Sequence, residues 1–171
     1  APKLNGCADN IFGMDIPPEE QGRIDRYTAD LTDKMEEVVI AALKNRAPSK
    51  ILFGKSQATF AANRRRQGGP VDHDLPFIKV VGLDGTVRAI IANYACHCTT
   101  MAHEPNLISA DWAGFAQEFL ERDHPGAIAL TTIGCGADAN PSPRPGEEFA
   151  RQHGEQIASG VKKISQDSLK P

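Results

Sequence analysis

A histidine set between two cysteines, Tyr94-Ala95-Cys96-His97-Cys98-Thr99-Thr100, is the part of this chain best equipped for chemistry. Imidazole and thiolate both ligate zinc, and imidazole also serves as an acid, a base or a hydrogen-bond anchor. Geometry restricts the first use. Along an extended chain alternate side chains face opposite ways, so His97 points away from both cysteines and the three do not close on one ion. The same geometry sends Cys96 and Cys98 into the core as small hydrophobes. It leaves His97 as a metal ligand with partners elsewhere, or as a hydrogen-bonded structural histidine.

Asp138 and Asn140 belong to a second polar stretch, Gly134-Cys135-Gly136-Ala137-Asp138-Ala139-Asn140-Pro141. Its backbone N–H groups could receive an oxyanion or a phosphate, although glycines equally serve tight turns. Asn63-Arg64-Arg65-Arg66 is a basic cluster, either a clamp for a carboxylate or phosphate or a solvated run. Asp111 suits a helix start. His103 and Glu104 are further metal candidates in a loop. His73, in Pro70-Val71-Asp72-His73-Asp74, is either oriented by a carboxylate or part of a turn.

These residues need elements to hold them. Proline and two acids at Pro18-Glu19-Glu20 start a helix. Ile24, Tyr27, Leu31, Met35, Val38 and Ala42 make its apolar stripe, and it stops before Pro48. Residues 51–54 and 57–62 read as two short strands. Residues 77–82 and 86–93 read as strands joined by Leu83-Asp84-Gly85, a hairpin signal. Ser109 or Asp111 caps a helix through Phe115, Phe119 and Leu120, ended by His124-Pro125-Gly126. Residues 127–133 form a strand and 147–165 a last helix, with Phe149, His153, Ile157, Val161 and Ile164 on one side. This order predicts an α/β domain, a layered mixed sheet flanked by helices. Residues 86–93, the next helix and residues 127–133 make a right-handed crossover unit. His97 and Asp138 then lie at corresponding strand ends, the edge of an α/β sheet where ligands bind.

The bulk numbers narrow the function classes. A chain of 171 residues suits one domain with a real core. A net charge of −3 and 6% aromatics give no footing for nucleic acid. No apolar run is long enough to cross a bilayer. Four cysteines do not make a disulfide scaffold. Cys96 and Cys98 are too close to bridge comfortably, which favours free thiols and leaves open a bond to Cys7 or Cys135. The opening Ala1-Pro2-Lys3-Leu4-Asn5-Gly6 reads as the middle of a loop.

Taken together, five stretches form an ordered pattern. They are Asn63-Arg64-Arg65, Pro70-Val71-Asp72-His73-Asp74-Leu75-Pro76, Asn93-Tyr94-Ala95-Cys96-His97-Cys98-Thr99-Thr100, Asn106-Leu107-Ile108-Ser109-Ala110-Asp111-Trp112-Ala113-Gly114 and Ala137-Asp138-Ala139-Asn140-Pro141. Over most of residues 1–160 the chain resembles the N-terminal catalytic domain of the neutral/alkaline, non-lysosomal ceramidases, especially their bacterial ceramidase-like branch.

That resemblance implies a zinc-dependent amidohydrolase acting on a lipid or small-molecule amide, secreted or periplasmic. It implies that His97 is a zinc ligand. Two histidines of a His-x-His motif would lie upstream of Ala1, and a glutamate and a tyrosine far downstream. The chain would then be an internal piece of a larger catalytic domain, with too few ligands of its own for a tetrahedral site. It implies catalytic positions at Gly134, Asp138 and Asn140 and substrate contacts at Asn63 and Arg64. The second ring nitrogen of His97 would need a partner, for which Asp111 and Asp138 are the candidates. The functional serine of true ceramidases falls here at about Gly134, which puts ceramide itself in question as substrate. The rival reading is a binding module that kept the fold without the full metal site.

Overall fold

The computed structural model describes residues 16–101, 108–164 and 168–170. Cys7, His103 and Glu104 lie outside these residues. The chain divides into two units at Ala47/Pro48.

The first unit carries helix α1 (Pro18–Lys44). It begins and ends where the sequence signals put it, with Pro18 in the first turn, Glu19 and Glu20 beside it, and Lys44 in the last turn. Arg23 bonds Glu19 at 2.8 Å and Glu20 at 3.1 Å, and Lys34 bonds Asp30 at 2.6 Å. Such pairs on an exposed helix surface each add a few tenths of a kcal/mol, roughly. No residue of α1 is buried, and Tyr27, Leu31, Met35 and Val38 of its apolar stripe are exposed.

The second unit holds β1 (Ser49–Gln57), β2 (Ala61–Asn63), β3 (Asp74–Gly82), β4 (Val87–Tyr94), α2 (Asp111–Asp123), β5 (Ile128–Ile133), β6 (Ala139–Pro141) and α3 (Glu147–Lys162). Four strands form one sheet in the order β1-β3-β4-β5, and β2 pairs with β6 in a second, small sheet. β3 runs antiparallel to both β1 and β4, while β4 and β5 are parallel, joined through α2. The α/β mixed sheet is as the sequence predicts.

One element differs. Residues 49–57 form a single strand that runs past the expected end at Gly54, and the second expected strand, 57–62, shortens to β2 at 61–63. The glycine is not a break. A Cβ at Gly54 would lie 2.3 Å from Cζ of Phe77, so its bareness makes room for that ring on the neighbouring strand. The β3–β4 hairpin turns as expected through Gly85, at φ +85°. Asp84 tightens the turn by accepting bonds from the amide and hydroxyl of Thr86.

The core lies on one face of the four-stranded sheet. Leu75, Phe77, Ile90, Ala92 and Tyr94 of the strands meet Trp112, Ala116 and Leu120 of α2 and Ile157 and Val161 of α3. α2 and α3 touch at Gly154, where a Cβ would lie 2.6 Å from Cβ of Phe115. Phe60 organises an aromatic group, with its ring 4.7 Å from Tyr94, 5.3 Å from Trp112 and stacked at 4.4 Å on His153. Lys79 also lies on this face, with its stem buried and its ammonium 5.8 Å from the Phe77 ring centroid.

The opposite face is different. The register builds two apolar rows straight across the sheet, Ile51-Val80-Ala89-Ile128 and Phe53-Ile78-Ile91-Leu130. At the ends of the rows, Ile51, Phe53, Ile128 and Leu130 are 54%, 51%, 64% and 50% exposed.

His153 gives the core a pH dependence. Burial pushes its pKa below the usual 6.5, against the opposing pull of its bond to the Pro143 carbonyl. The unfolded chain therefore takes up a proton first as pH falls below 6.5. Stability contributed here is complete above that value and declines below it. Denaturant titrations at pH 7.5 and 5 should show this loss, and His153→Gln should make the pH slope shallower.

Candidate active site

The loop after β4 carries His97, and three other segments converge on it. His97 N–H bonds the Ala139 carbonyl at 3.0 Å, which ties the loop to β6. β6 in turn pairs with β2, placing Ala139 opposite Asn63 and Asn140 opposite Ala62. The backbones come close because Gly136 lacks a side chain. A Cβ there would lie 2.5 Å from the Ala95 carbonyl carbon and 2.6 Å from the Cys96 nitrogen.

The centre of the arrangement is the carbonyl of Ala137. His97 Nε2 lies 3.2 Å from it, and Arg64 Nε bonds the same oxygen at 3.1 Å. A carbonyl only accepts, so Nε2 carries a proton, and Nδ1 is the ring nitrogen left to offer a lone pair. Asp138 holds the other side. Its backbone carbonyl accepts from the Arg64 amide at 2.7 Å, and its carboxylate accepts from Asn63 Nδ2 at 2.9 Å. Asn63 then uses its own oxygen to receive the Arg65 and Arg66 amides. Asn140 Oδ1 receives the Thr99 hydroxyl at 3.5 Å. Asn63, Arg64, His97 and Asp138 are thus one hydrogen-bonded group, and Asn140 adjoins it through the β2–β6 pairing.

Gly134 lies against the end of β4. Its amide bonds the Tyr94 carbonyl at 3.0 Å, and a Cβ there would lie 2.8 Å from Asn93 Oδ1. Any side chain at this position requires Asn93 to shift, although Asn93 is itself bonded to Thr132 at 2.8 Å.

Asp111 is held apart from the imidazole. It sits at φ +54°, buried, at the first turn of α2. Its carboxylate accepts the amides of Thr100 at 2.7 Å, Met101 at 2.8 Å and Trp112 at 2.7 Å. Trp112 completes the link, its indole N–H bonding the His97 carbonyl at 2.9 Å. The ring partner of His97 is therefore a backbone carbonyl, and Asp111 reaches the histidine through the loop and the indole.

Cys96 is buried and Cys98 exposed, so only one of the pair joins the core. The chain leaves β-geometry after Tyr94, and strict alternation ends there. Burial pushes the Cys96 thiol up to about 12, so it stays protonated at neutral pH. Cys96, Cys98 and Cys135 are all free thiols. His73 stands elsewhere, with Nδ1 3.5 Å from the hydroxyl of Tyr94. That hydroxyl donates to the Ala58 carbonyl, and burial drives its pKa far upward. A polar cleft lined by Lys55, Gln57, Asp74, Gln156 and Lys163 contains none of the residues around His97.

Sequence reasoning passed over two residues. Trp112 looks like a core residue, and nothing in a spacing of fifteen positions signals its bond to His97. Arg144, in the loop after β6, donates Nη1 to the Thr99 carbonyl at 3.4 Å.

The fold has counterparts among solved proteins. A ceramidase in complex with C2 superposes with a TM-score of 0.63 at 20% identity, matching 71% of this chain and 23% of that one. Neutral ceramidase from Pseudomonas aeruginosa superposes at 0.60 with 19% identity, over the same shares of the two chains. This chain is part of a ceramidase-like fold. It spans about a quarter of the length of these ceramidases. No family model matches it, and no curated protein matches its sequence.

The Asp111 brace of this ceramidase-like fold can be tested through its backbone. Ala at a left-handed position costs about 1–2 kcal/mol on its own, and three amides also lose their acceptor. Urea denaturation of Asp111→Ala should show a loss of about 3 kcal/mol or more. Asp111→Gly, free of the backbone term, should lose about 1 kcal/mol less.

Proposed function

We propose that this chain is part of a zinc-dependent hydrolase that cleaves an amide bond in an N-acyl lipid or related small molecule. The observation that carries this reading is the shared Ala137 carbonyl. It holds an imidazole and a guanidinium side by side at the rim of a sheet in a ceramidase-like fold.

Among the described residues, no three His, Cys, Asp or Glu side chains form a group able to hold a metal ion. His97 is therefore one donor of a set that must be completed by other residues. Its chemistry suits that role, because a neutral ring with Nε2–H committed to a carbonyl keeps one nitrogen basic and fixed in orientation. A zinc ion, when bound, polarises a carbonyl and acidifies water. The rest falls to this chain. The Ala137 and Ala139 backbone sets the imidazole's angle. Arg64 retains its Nη pair for an oxygen of the substrate. Asp138 keeps Asn63 and the Arg64 backbone in place.

The expected result for the intact protein is stoichiometric zinc and hydrolysis of some members of a panel of N-acyl amides. His97→Ala should weaken zinc by more than the roughly 10–100-fold that loss of an outer partner costs, measured by competition with a chelator. Full metal affinity in that variant removes the ligand assignment. Metal binding without turnover of any amide leaves the binding-module reading, whose support is the glycine at position 134 where true ceramidases carry a serine.

We further propose that the chain is one portion of a larger catalytic domain, whose other portions cover the two apolar rows of the sheet. Its quarter share of the compared ceramidases and the eight-residue apolar face support this. Leu130 offers a test. At a position open to water, Leu130→Asp changes stability by about 0.5 kcal/mol or less. Under a covering layer it should cost more than about 2 kcal/mol, as read by denaturant unfolding of the intact protein.

A further inference from the structure

We infer that the molecule received beside His97 carries an anionic group, and that Arg144 is the residue that selects for it. The inference rests on the hydrolase reading only in taking the ligand to be an amide.

Two guanidiniums flank the site. Arg64 anchors Nε on Ala137, at the end nearest the imidazole. Arg144 anchors Nη1 on Thr99, the residue whose hydroxyl bonds Asn140. Both side chains are exposed. Among the described residues neither is paired with a carboxylate, although Arg23, Arg122 and Arg151 all are. Each has spent one N–H of five on a neutral carbonyl, leaving most of the fork for a ligand.

Arg144 is not an ordinary surface side chain on a loose loop. Its loop is anchored on both sides and underneath. Ser142 N–H bonds the Phe60 carbonyl at 2.7 Å, and Gly146 N–H bonds the Thr100 carbonyl at 2.8 Å. The buried His153 donates Nε2–H to the Pro143 carbonyl at 2.9 Å. Pro141 is buried at the loop's start. The backbone at position 144 is thus held by the core, and the guanidinium reaches back over the His97 loop.

A planar fork held in this way recognises a carboxylate or phosphate through paired, charge-assisted N–H bonds. A neutral amide gives it only a carbonyl. A ceramide-like lipid, whose polar groups are an amide and hydroxyls, all uncharged, leaves this positive charge without a counterpart. An N-acyl amide with a carboxylate or phosphate on its amine side satisfies it.

The test is calorimetric titration of the intact protein with N-octanoylglycine, N-octanoylethanolamine phosphate and neutral N-octanoylethanolamine, with turnover of each followed separately. At least one anionic amide should bind about tenfold or more tightly than the neutral one. Whichever anion is preferred identifies the source. Arg144→Gln should reduce that preference to about threefold or less, and Arg144→Lys should restore part of it, charge without the fork. Equal binding of all three, no binding of any, or a preference unchanged in Arg144→Gln overturns the inference. An Arg144-dependent preference without turnover supports the anion site and removes the amidase. Turnover of the amides without an anionic preference does the reverse.

Discussion

One carbonyl oxygen, that of Ala137, organises the polar end of this molecule. It accepts from His97 on one side and from Arg64 on the other. An oxygen with two lone pairs can serve both donors, and each bond fixes a ring or a fork that would otherwise rotate freely. Because the acceptor is backbone, its position is set by the strand beside it. β6 pairs with β2 through three residues, and that short ladder brings the arginine stretch and the Asp138 loop together. The chemistry of the site is therefore carried by main-chain geometry, with the side chains borrowing their orientation from it.

That geometry depends on close contacts that only small residues permit. Gly136 lies against Ala95 and Cys96, and Gly134 against Asn93 and Ala95. The loops after β4 and β5 thereby touch along their backbones. Asp111 adds a brace from the helix side, binding the loop at Thr100 and Met101 and the helix at Trp112. It does so from a backbone conformation that aspartate adopts at a cost. Three charge-assisted bonds in a buried position offset it. A carboxylate that receives three amides is a structural acceptor, and its link to His97 runs through the indole of Trp112.

The sheet is apolar on both faces. One face is filled by α2, α3 and the aromatic group around Phe60. The other presents two unbroken rows of Ile, Val, Ala, Phe and Leu. Antiparallel sheets that face water on one side alternate apolar and polar residues, and these strands do not. The polar residues Asn93 and Thr132 come only at the end of the sheet where the site lies. The strands thus combine a surface suited to covering with a rim suited to chemistry.

Much of this was legible in the residues themselves. Local signals placed α1, the Gly85 hairpin, the crossover through α2 and the last helix, because capping residues, turn chemistry and apolar periodicity act within a few positions. The order of polar stretches also pointed to a ceramidase-like fold and to His97, Arg64, Asp138 and Asn140 as one neighbourhood. The partners of those residues were not legible. That His97 turns to a carbonyl, and that Trp112 and Arg144 bear on the His97 loop, follow from contacts across fifteen to forty-five positions, and Asp111 serves amides ten and eleven positions before it. Gly54 misled for the same reason, since its need for bareness comes from Phe77 on another strand. The sequence by itself determined the elements and the residue types able to do chemistry. Only the tertiary structure decided which donor meets which acceptor, because hydrogen-bond pairing depends on distances that packing sets.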